Sequence, residues 1–252
     1  MYQSHPVFVR LLVLWAASGL TAAVALRFIP APYGRFVRPG WGPRLQPRLA
    51  WFLMESPGLW VFLAMFLASL PVPLVPALFG VLYMGHYLYR GFIYPSLIRS
   101  TRPVPFAVVA MAVGFHLATA GLQTWELYRI RPDRPVPWLW DPRFLAGLLM
   151  LVCGFVTAVR SDARLRALRP TRGQQYQIPR GGLFEHVSCP HYLGEIVEWT
   201  GWALLTWTWA GLVFALWVAA NLVPRARALH RSNLAQFPDY PVNRRALIPY
   251  VW

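Results

Sequence analysis

The sequence predicts an all-α integral membrane bundle of seven transmembrane helices, with the N-terminus outside and the C-terminus cytoplasmic. Three observations lead there. The 252 residues are 57% hydrophobic and only 13% charged, with positive mean hydropathy, outside the range of an ordinary soluble domain. The apolar residues fall into seven runs, and the chain has room for about seven spans of roughly 20 residues each, at about 1.5 Å per residue across a hydrocarbon core about 30 Å thick. The basic residues are shared unequally between the two sets of connections that those runs define.

The runs cover about 7–28, 50–70, 72–93, 104–124, 143–159, 190–208 and 210–223. The first is too long for a signal-peptide core and has no small-residue cleavage pattern behind it, so it is read as a span. The second is apolar apart from Glu55, and the third carries Tyr87 near its end. The fourth precedes an Arg-bearing connection, and Asp162 closes the fifth. The sixth contains Glu195 and Glu198, and Arg225 and His230 follow the seventh. These runs are too long and too evenly apolar for barrel strands, whereas helices satisfy every backbone group within the span. Pro- and Arg-rich connections separate them, no internal repeat occurs, and residues 1–252 are expected to form a single domain.

All 24 basic residues are Arg. The connections after spans one, three, five and seven hold nineteen of the 24, and the opposite side holds Arg10, Arg129, Arg131, Arg134 and Arg143. The positive-inside rule makes the rich side cytoplasmic. Topology and lipid-headgroup contact account for part of this excess. The net charge of +15 is therefore no argument for nucleic acid, and no aromatic-basic recognition motif accompanies it. Cys153 and Cys189 are lone cysteines that suggest neither a disulfide framework nor a zinc site. His191, Glu195 and Glu198 lie at helical spacing, but the other histidines are dispersed, so no metal is assigned.

Only nine acidic residues occur, and Glu55, Glu195 and Glu198 sit inside apolar runs. A carboxylate in hydrocarbon is costly and marks a working site. In the predicted topology Glu55, Tyr87, Asp162, Glu195, Arg225 and His230 all reach the cytoplasmic half of the bundle. A pocket for a polyanionic cytosolic cofactor beside a lipid-borne substrate requires such a gathering, because the planar Arg fork makes paired hydrogen bonds to phosphate. No Gly-x-Gly-x-x-Gly fingerprint occurs, so a dinucleotide would not use a Rossmann domain. Plainer alternatives stand beside this. Glu195 and Glu198 share a helix face and could pair with a structural Arg. Tyr87, Trp51 and Trp199 could be aromatic-belt or packing residues.

Five segments carry a resemblance. They are Pro47-Arg48-Leu49-Ala50-Trp51-Phe52-Leu53-Met54-Glu55, His86-Tyr87-Leu88-Tyr89-Arg90, Tyr176-Gln177-Ile178-Pro179-Arg180-Gly181-Gly182-Leu183-Phe184, Leu193-Gly194-Glu195-Ile196-Val197-Glu198-Trp199, and the ending from Phe237 to Pro249. In this order and at this spacing they resemble the steroid 5α-reductase family from about Tyr33 onward, with a C-terminal family core from about residue 100, and a bacterial member is expected. The resemblance implies an NADPH-dependent reductase of a carbon-carbon double bond conjugated to a ketone, with the cofactor inside a seven-helix bundle. It assigns substrate-carbonyl contacts to Glu55 and Tyr87, while Met54 stands where the family has Gln. For NADPH it implies Asp162, Arg169, Tyr176, Glu195 and Arg225, with Arg90, Arg102 and His230 as further positions. His191 stands where the steroid-reducing branch has Asn, and Asn233 where the family has Tyr. Pro190-His191-Tyr192 is more similar to the polyprenol-reducing branch. Trp51 and Trp199 adjoin these motifs as candidate substrate-cavity residues.

The chemistry is coherent without the family. Hydride arriving at the β carbon of an enone drives negative charge onto the carbonyl oxygen, so donors aimed there stabilise the transition state. Tyr87 can donate, and Glu55 can donate in its protonated form. Alternatives of other kinds are a polyprenal or enoyl-thioester reductase, a membrane methyltransferase of the isoprenylcysteine type and a lipid transporter. The expected partners are a lipophilic small molecule and the bilayer, with no obligatory protein partner, and the expected location is the cytoplasmic membrane with the site open to the cytoplasm.

Overall fold

The structure is a computed structural model that describes residues 2–100, 102–168 and 177–251, and it is 74% helical. In chain order α1 (Pro6–Phe28), α2 (Pro47–Leu67) and α3 (Leu74–Leu88) come first. A π-helical turn, Tyr89–Ile93, then runs into the short α4 (Tyr94–Leu97). After these come α5 (Phe106–Trp125), with a second π-helical turn at Glu126–Ile130, then α6 (Pro142–Ala167), α7 (Pro190–Thr206) and α8 (Trp209–Gln236). Proline opens α1, α2, α6 and α7, where its missing N–H leaves no bond unmade. Two short strands, β1 (Arg44–Leu45) and β2 (Val104–Pro105), pair antiparallel with Arg44 opposite Pro105 and tie the segment before α2 to that before α5.

Five of the seven long helices are long and apolar enough to cross a membrane: α1, α2, α5 with its π turn, α6 and α8. The other two, α3 and α7, have 15 and 17 residues, although the helical path of α3 continues through the π turn and α4 to Leu97. Val13, Leu14, Leu20, Val81, Leu149 and Leu216 are exposed, giving the bundle an apolar exterior.

Two helices outrun their apolar cores. The fifth and seventh spans, expected to end near 159 and 223 on their cytoplasmic sides, instead continue as α6 to Ala167 and α8 to Gln236. Hydropathy falls at Arg160 and again at Pro224-Arg225, but Arg, Ala and Leu are strong helix formers and the helices run on. Asp162, Arg225, His230 and Asn233 therefore stand on helices and not in connections.

The closest helix pair is α6 and α7. A Cβ on Gly154 would lie 2.4 Å from the Glu198 backbone nitrogen, and one on Gly201 would lie 2.5 Å from the Gly147 carbonyl. Gly147 and Gly154 on α6 face Gly194 and Gly201 on α7, so two backbones meet with nothing between them. This contact sets Glu195 and Glu198 beside the end of α6. The interior between α2, α3, α7 and α8 is aromatic: Phe62 stacks on Tyr83 at 4.1 Å, and Trp199 meets Phe214 at 4.5 Å.

At the opposite end, buried Glu126 caps α8 by accepting from the backbone N–H groups of Trp209 (3.0 Å) and Ala210 (2.7 Å). It also accepts from the Tyr2 hydroxyl at 2.6 Å, and burial together with this bond pushes the Tyr2 phenol up to about 12.

Candidate active site

The first π-helical turn places the central group. Such turns insert a residue into the helical ladder and re-aim the side chains around it. Gly91 lets this turn lie on α2, since a Cβ there would come within 3.2 Å of the Ser56 backbone. Gly58 does the same for the Tyr87 ring, at 2.9 Å. Arg90 and Tyr87 are thereby pressed against the face of α2 that carries Glu55.

Arg90 gathers three carboxylates from three helices. Its guanidinium lies 3.2 Å from Asp162 Oδ2 on α6, 3.2 Å from Glu195 Oε1 on α7 and 3.7 Å from Glu55 Oε1 on α2. It also stands 5.3 Å from the Trp51 ring centre and 4.7 Å from that of Tyr94. Five residues singled out from the sequence, Trp51, Glu55, Arg90, Asp162 and Glu195, thus form one cluster.

Tyr87 and Trp199 lie beside it. Their rings stack at 5.9 Å, and the His116 ring meets Tyr87 edge-on at 5.2 Å. His116 then reaches back to Glu55, with Nε2 3.4 Å from Oε2. Its other nitrogen, Nδ1, is 2.9 Å from the Ala112 carbonyl, which can only accept, so Nδ1 carries a hydrogen. On the far side of Tyr87, buried Glu198 bonds His86 Nδ1 at 2.5 Å.

A second group lies on α8. Arg225 donates from Nε to the Tyr192 hydroxyl at 2.7 Å, and its guanidinium covers the Tyr33 ring at 3.6 Å. Asn233 accepts from Arg35 at 2.5 Å and donates to the Tyr240 hydroxyl at 3.3 Å. His230 pairs with Ser188 at 2.7 Å. The C-terminal segment is held against the start of α7 by the Arg245 N–H bond to the His186 carbonyl (2.8 Å) and the Ser188 N–H bond to the Arg245 carbonyl (2.8 Å). Nearby, the Gly181 N–H donates to Glu185 and holds that carboxyl below its ordinary range.

His191 packs its ring on neighbouring Tyr192 at 4.0 Å, and Arg102 lies apart in the loop before β2, its backbone N–H on Ser100 Oγ. Arg169 and Tyr176 fall outside the described residues. His86, His116, Tyr33, Arg35 and Tyr192 were not singled out as site residues from the sequence. For His86 a signal existed: it is four residues before Arg90 and shares its helix face. His116 and Tyr33 have only tertiary neighbours to mark them.

Buried nitrogens remain open in this region. Arg166 Nη1, His191 Nδ1 and Arg225 Nη1 have no hydrogen-bond partner among the described residues. Buried donors left unpaired are costly, so this donor set suits an anionic ligand that supplies acceptors.

The sequence model of the 3-oxo-5-alpha-steroid 4-dehydrogenase family matches residues 102–252. The chain is 45% identical over 236 residues to a steroid 5-alpha-reductase of Gossypium hirsutum, covering 91% of each chain. It is 42% identical over 247 residues to that of Arabidopsis thaliana, covering 93% of each. Against a 3-oxo-5-alpha-steroid 4-dehydrogenase 1 of Rattus norvegicus it is 37% identical over 236 residues, covering 90% of this chain and 89% of the relative. With both the motifs and the full-length likeness in place, the chain belongs to the 3-oxo-5-alpha-steroid 4-dehydrogenase family of oxidoreductases.

Proposed function

We propose that the protein reduces the carbon-carbon double bond of a conjugated enone lipid with NADPH, converting the Δ4 bond of a 3-oxo-steroid to the 5α product. The observation that carries this is the Arg90 cluster beside the Tyr87–Trp199 stack, in a chain of this family. The substrate class comes from the relatives' names. Seven crossings, with α3–α4 and α7 completing the five longer helices, belong to the same reading. So do an external N-terminus and a site facing the cytoplasm, both supported by the Arg asymmetry.

The open donors of Arg166 and Arg225, with His191, suit the phosphates of a dinucleotide, and Arg90, Asp162, Glu195, His230 and Asn233 complete its surroundings. When bound, NADPH supplies the hydride. The chain orients the two reactants and stabilises charge. As the β carbon is reduced, the Tyr87 hydroxyl donates to the carbonyl oxygen. Glu55 donates there as the acid, and His116 bears on its proton. Because His116 Nδ1 carries a hydrogen, a hydrogen bond between Nε2 and Glu55 requires one more proton, held by either partner. That pair can store the proton that the carboxyl needs.

Detergent-purified protein should oxidise NADPH with testosterone or progesterone and release the 5α-reduced ketone. Turnover of an enoyl thioester or a polyprenal alone would remove the steroid and leave the reductase. No NADPH oxidation with any of the three substrate classes would overturn the whole reading.

A further inference from the structure

Helices α1 and α8 meet closely at one level and part at another. Trp217 on α8 lies over Gly19 on α1, where a Cβ would come within 2.6 Å of the indole. Past this crossing, toward the Arg-rich end, the helices border an open groove of about 890 Å³. Its apolar lining combines small residues, Ala23, Ala219 and Ala220, with Leu26, Phe28 and Val223, and Arg27, Arg227 and Arg231 are also in the lining. None of these three has an ion-pair or hydrogen-bond partner among the described residues. Arg227 and Arg231 are four apart on α8, on one face, while Arg225 turns inward to Tyr192.

Backbone chemistry adds an acceptor. Pro224 lies inside α8 and has no N–H, so the carbonyl of Ala220, four residues earlier, lacks its helical partner. Ala220 and Pro224 both line the groove. An apolar lining, three guanidiniums and a carbonyl without its helical N–H partner match a molecule with an acyl chain, a phosphate and a hydroxyl-bearing headgroup.

We propose that the α1–α8 groove is a binding site for an anionic phospholipid, phosphate on Arg27, Arg227 and Arg231 and one acyl chain along the apolar lining. The proposal needs the membrane-spanning reading but not the reductase reading, since the groove is separate from the Arg90 cluster. Basic pockets between helices at a cytoplasmic membrane surface favour anionic headgroups, and Arg forks engage phosphate in pairs.

The test is lipid retention by detergent-purified protein, measured by native mass spectrometry, with phosphatidylglycerol and phosphatidylcholine of the same acyl chains. Wild type should retain phosphatidylglycerol at about tenfold lower concentration, and R27Q/R227Q/R231Q should lose that preference. R27K/R227K/R231K should keep most of it. Equal retention of the two lipids, or an unchanged preference in the Gln variant, would overturn the proposal. So would equal loss in the Gln and Lys variants, which would mark structural damage, or abolition of lipid retention by millimolar inorganic phosphate, which would make the site one for the free anion. NADPH oxidation, followed separately, reports on the reductase reading alone.

Discussion

His86 Nδ1 lies 2.5 Å from Glu198 Oε1, and the two side chains are 8% and 1% exposed. The bond ties α3 to α7 directly behind Tyr87. The His86 ring is wedged between Tyr87 at 4.9 Å and Trp199 at 4.5 Å, so this pair fixes the rings that border the cluster.

Glu198→Ala should therefore destabilise the bundle, because it leaves a buried imidazole without its acceptor. A loss of about 3 kcal/mol is expected, read as a fall in the Tm of detergent-solubilised protein. Glu198→Gln keeps an acceptor of nearly the same shape and should lose less than half as much. An unchanged Tm in Glu198→Ala would mean that the pair holds nothing in place.

The sequence made the helices and the buried carboxylates legible because both rest on rules that act along the chain. Apolar runs locate spans, and a carboxylate within such a run is costly, so Glu55 and Glu195 declared themselves, whereas Arg90 came only from the family resemblance. What stayed hidden depends on tertiary contact. His116 sits in an apolar stretch with no local companion, and only the packing of α5 on α2 brings it to Glu55. Tyr33 lies in a Pro-rich connection, far along the chain from the Arg225 that covers it. The ends of α6 and α8 were misplaced because hydropathy tracks lipid and not helix: both continue as polar helices beyond their apolar segments.

Gly154→Ala should separate α6 from α7. The added Cβ would meet the Glu198 backbone nitrogen at 2.4 Å, and backbone cannot move aside as a side chain can. Overpacking of this kind costs about 1–3 kcal/mol, and it should also lower turnover by drawing Asp162 away from Arg90. Gly114→Ala, where nothing lies within 4 Å, is the control and should be neutral. Equal tolerance of both changes would refute the glycine contact.

Glu185 gives a pH signature. The Gly181 N–H holds its carboxyl below the ordinary 4.5, so its folded value is depressed. The stability it contributes is present above 4.5 and lost as the pH falls through the lower folded value. The Tm difference between wild type and Glu185→Gln should be constant from neutral pH to about 5 and then shrink on further acidification. A difference that grows with acid would contradict the depressed carboxyl.

Arg225→Gln tests the anion reading of α8. It removes one guanidinium whose buried Nη1 has no partner among the described residues, so NADPH affinity should fall by roughly tenfold to a hundredfold. Folding is monitored alongside, since the Tyr192 and Tyr33 contacts are lost too. If Arg225 meets the 2′-phosphate, NADH affinity should change little. Equal losses for the two cofactors would place it on a phosphate they share.

Tyr87 and Glu55 are proposed to act on the carbonyl oxygen and not on the cofactor. Tyr87→Phe and Glu55→Ala each delete a donor, and each should lower kcat by about a hundredfold or more with NADPH affinity nearly unchanged. Glu55→Gln keeps a donor and should retain more activity than Glu55→Ala if the acid only hydrogen-bonds. It should be as inactive if proton transfer is essential. The 3.4 Å approach of His116 separates these cases further, because His116→Phe removes the partner through which Glu55 would hold its proton. A shifted pH profile of kcat in His116→Phe, absent from Glu55→Gln/His116→Phe relative to Glu55→Gln, is expected if the two share that proton. Wild-type turnover in Tyr87→Phe, with the protein folded and NADPH bound, would return Tyr87 to a packing role beside Trp199.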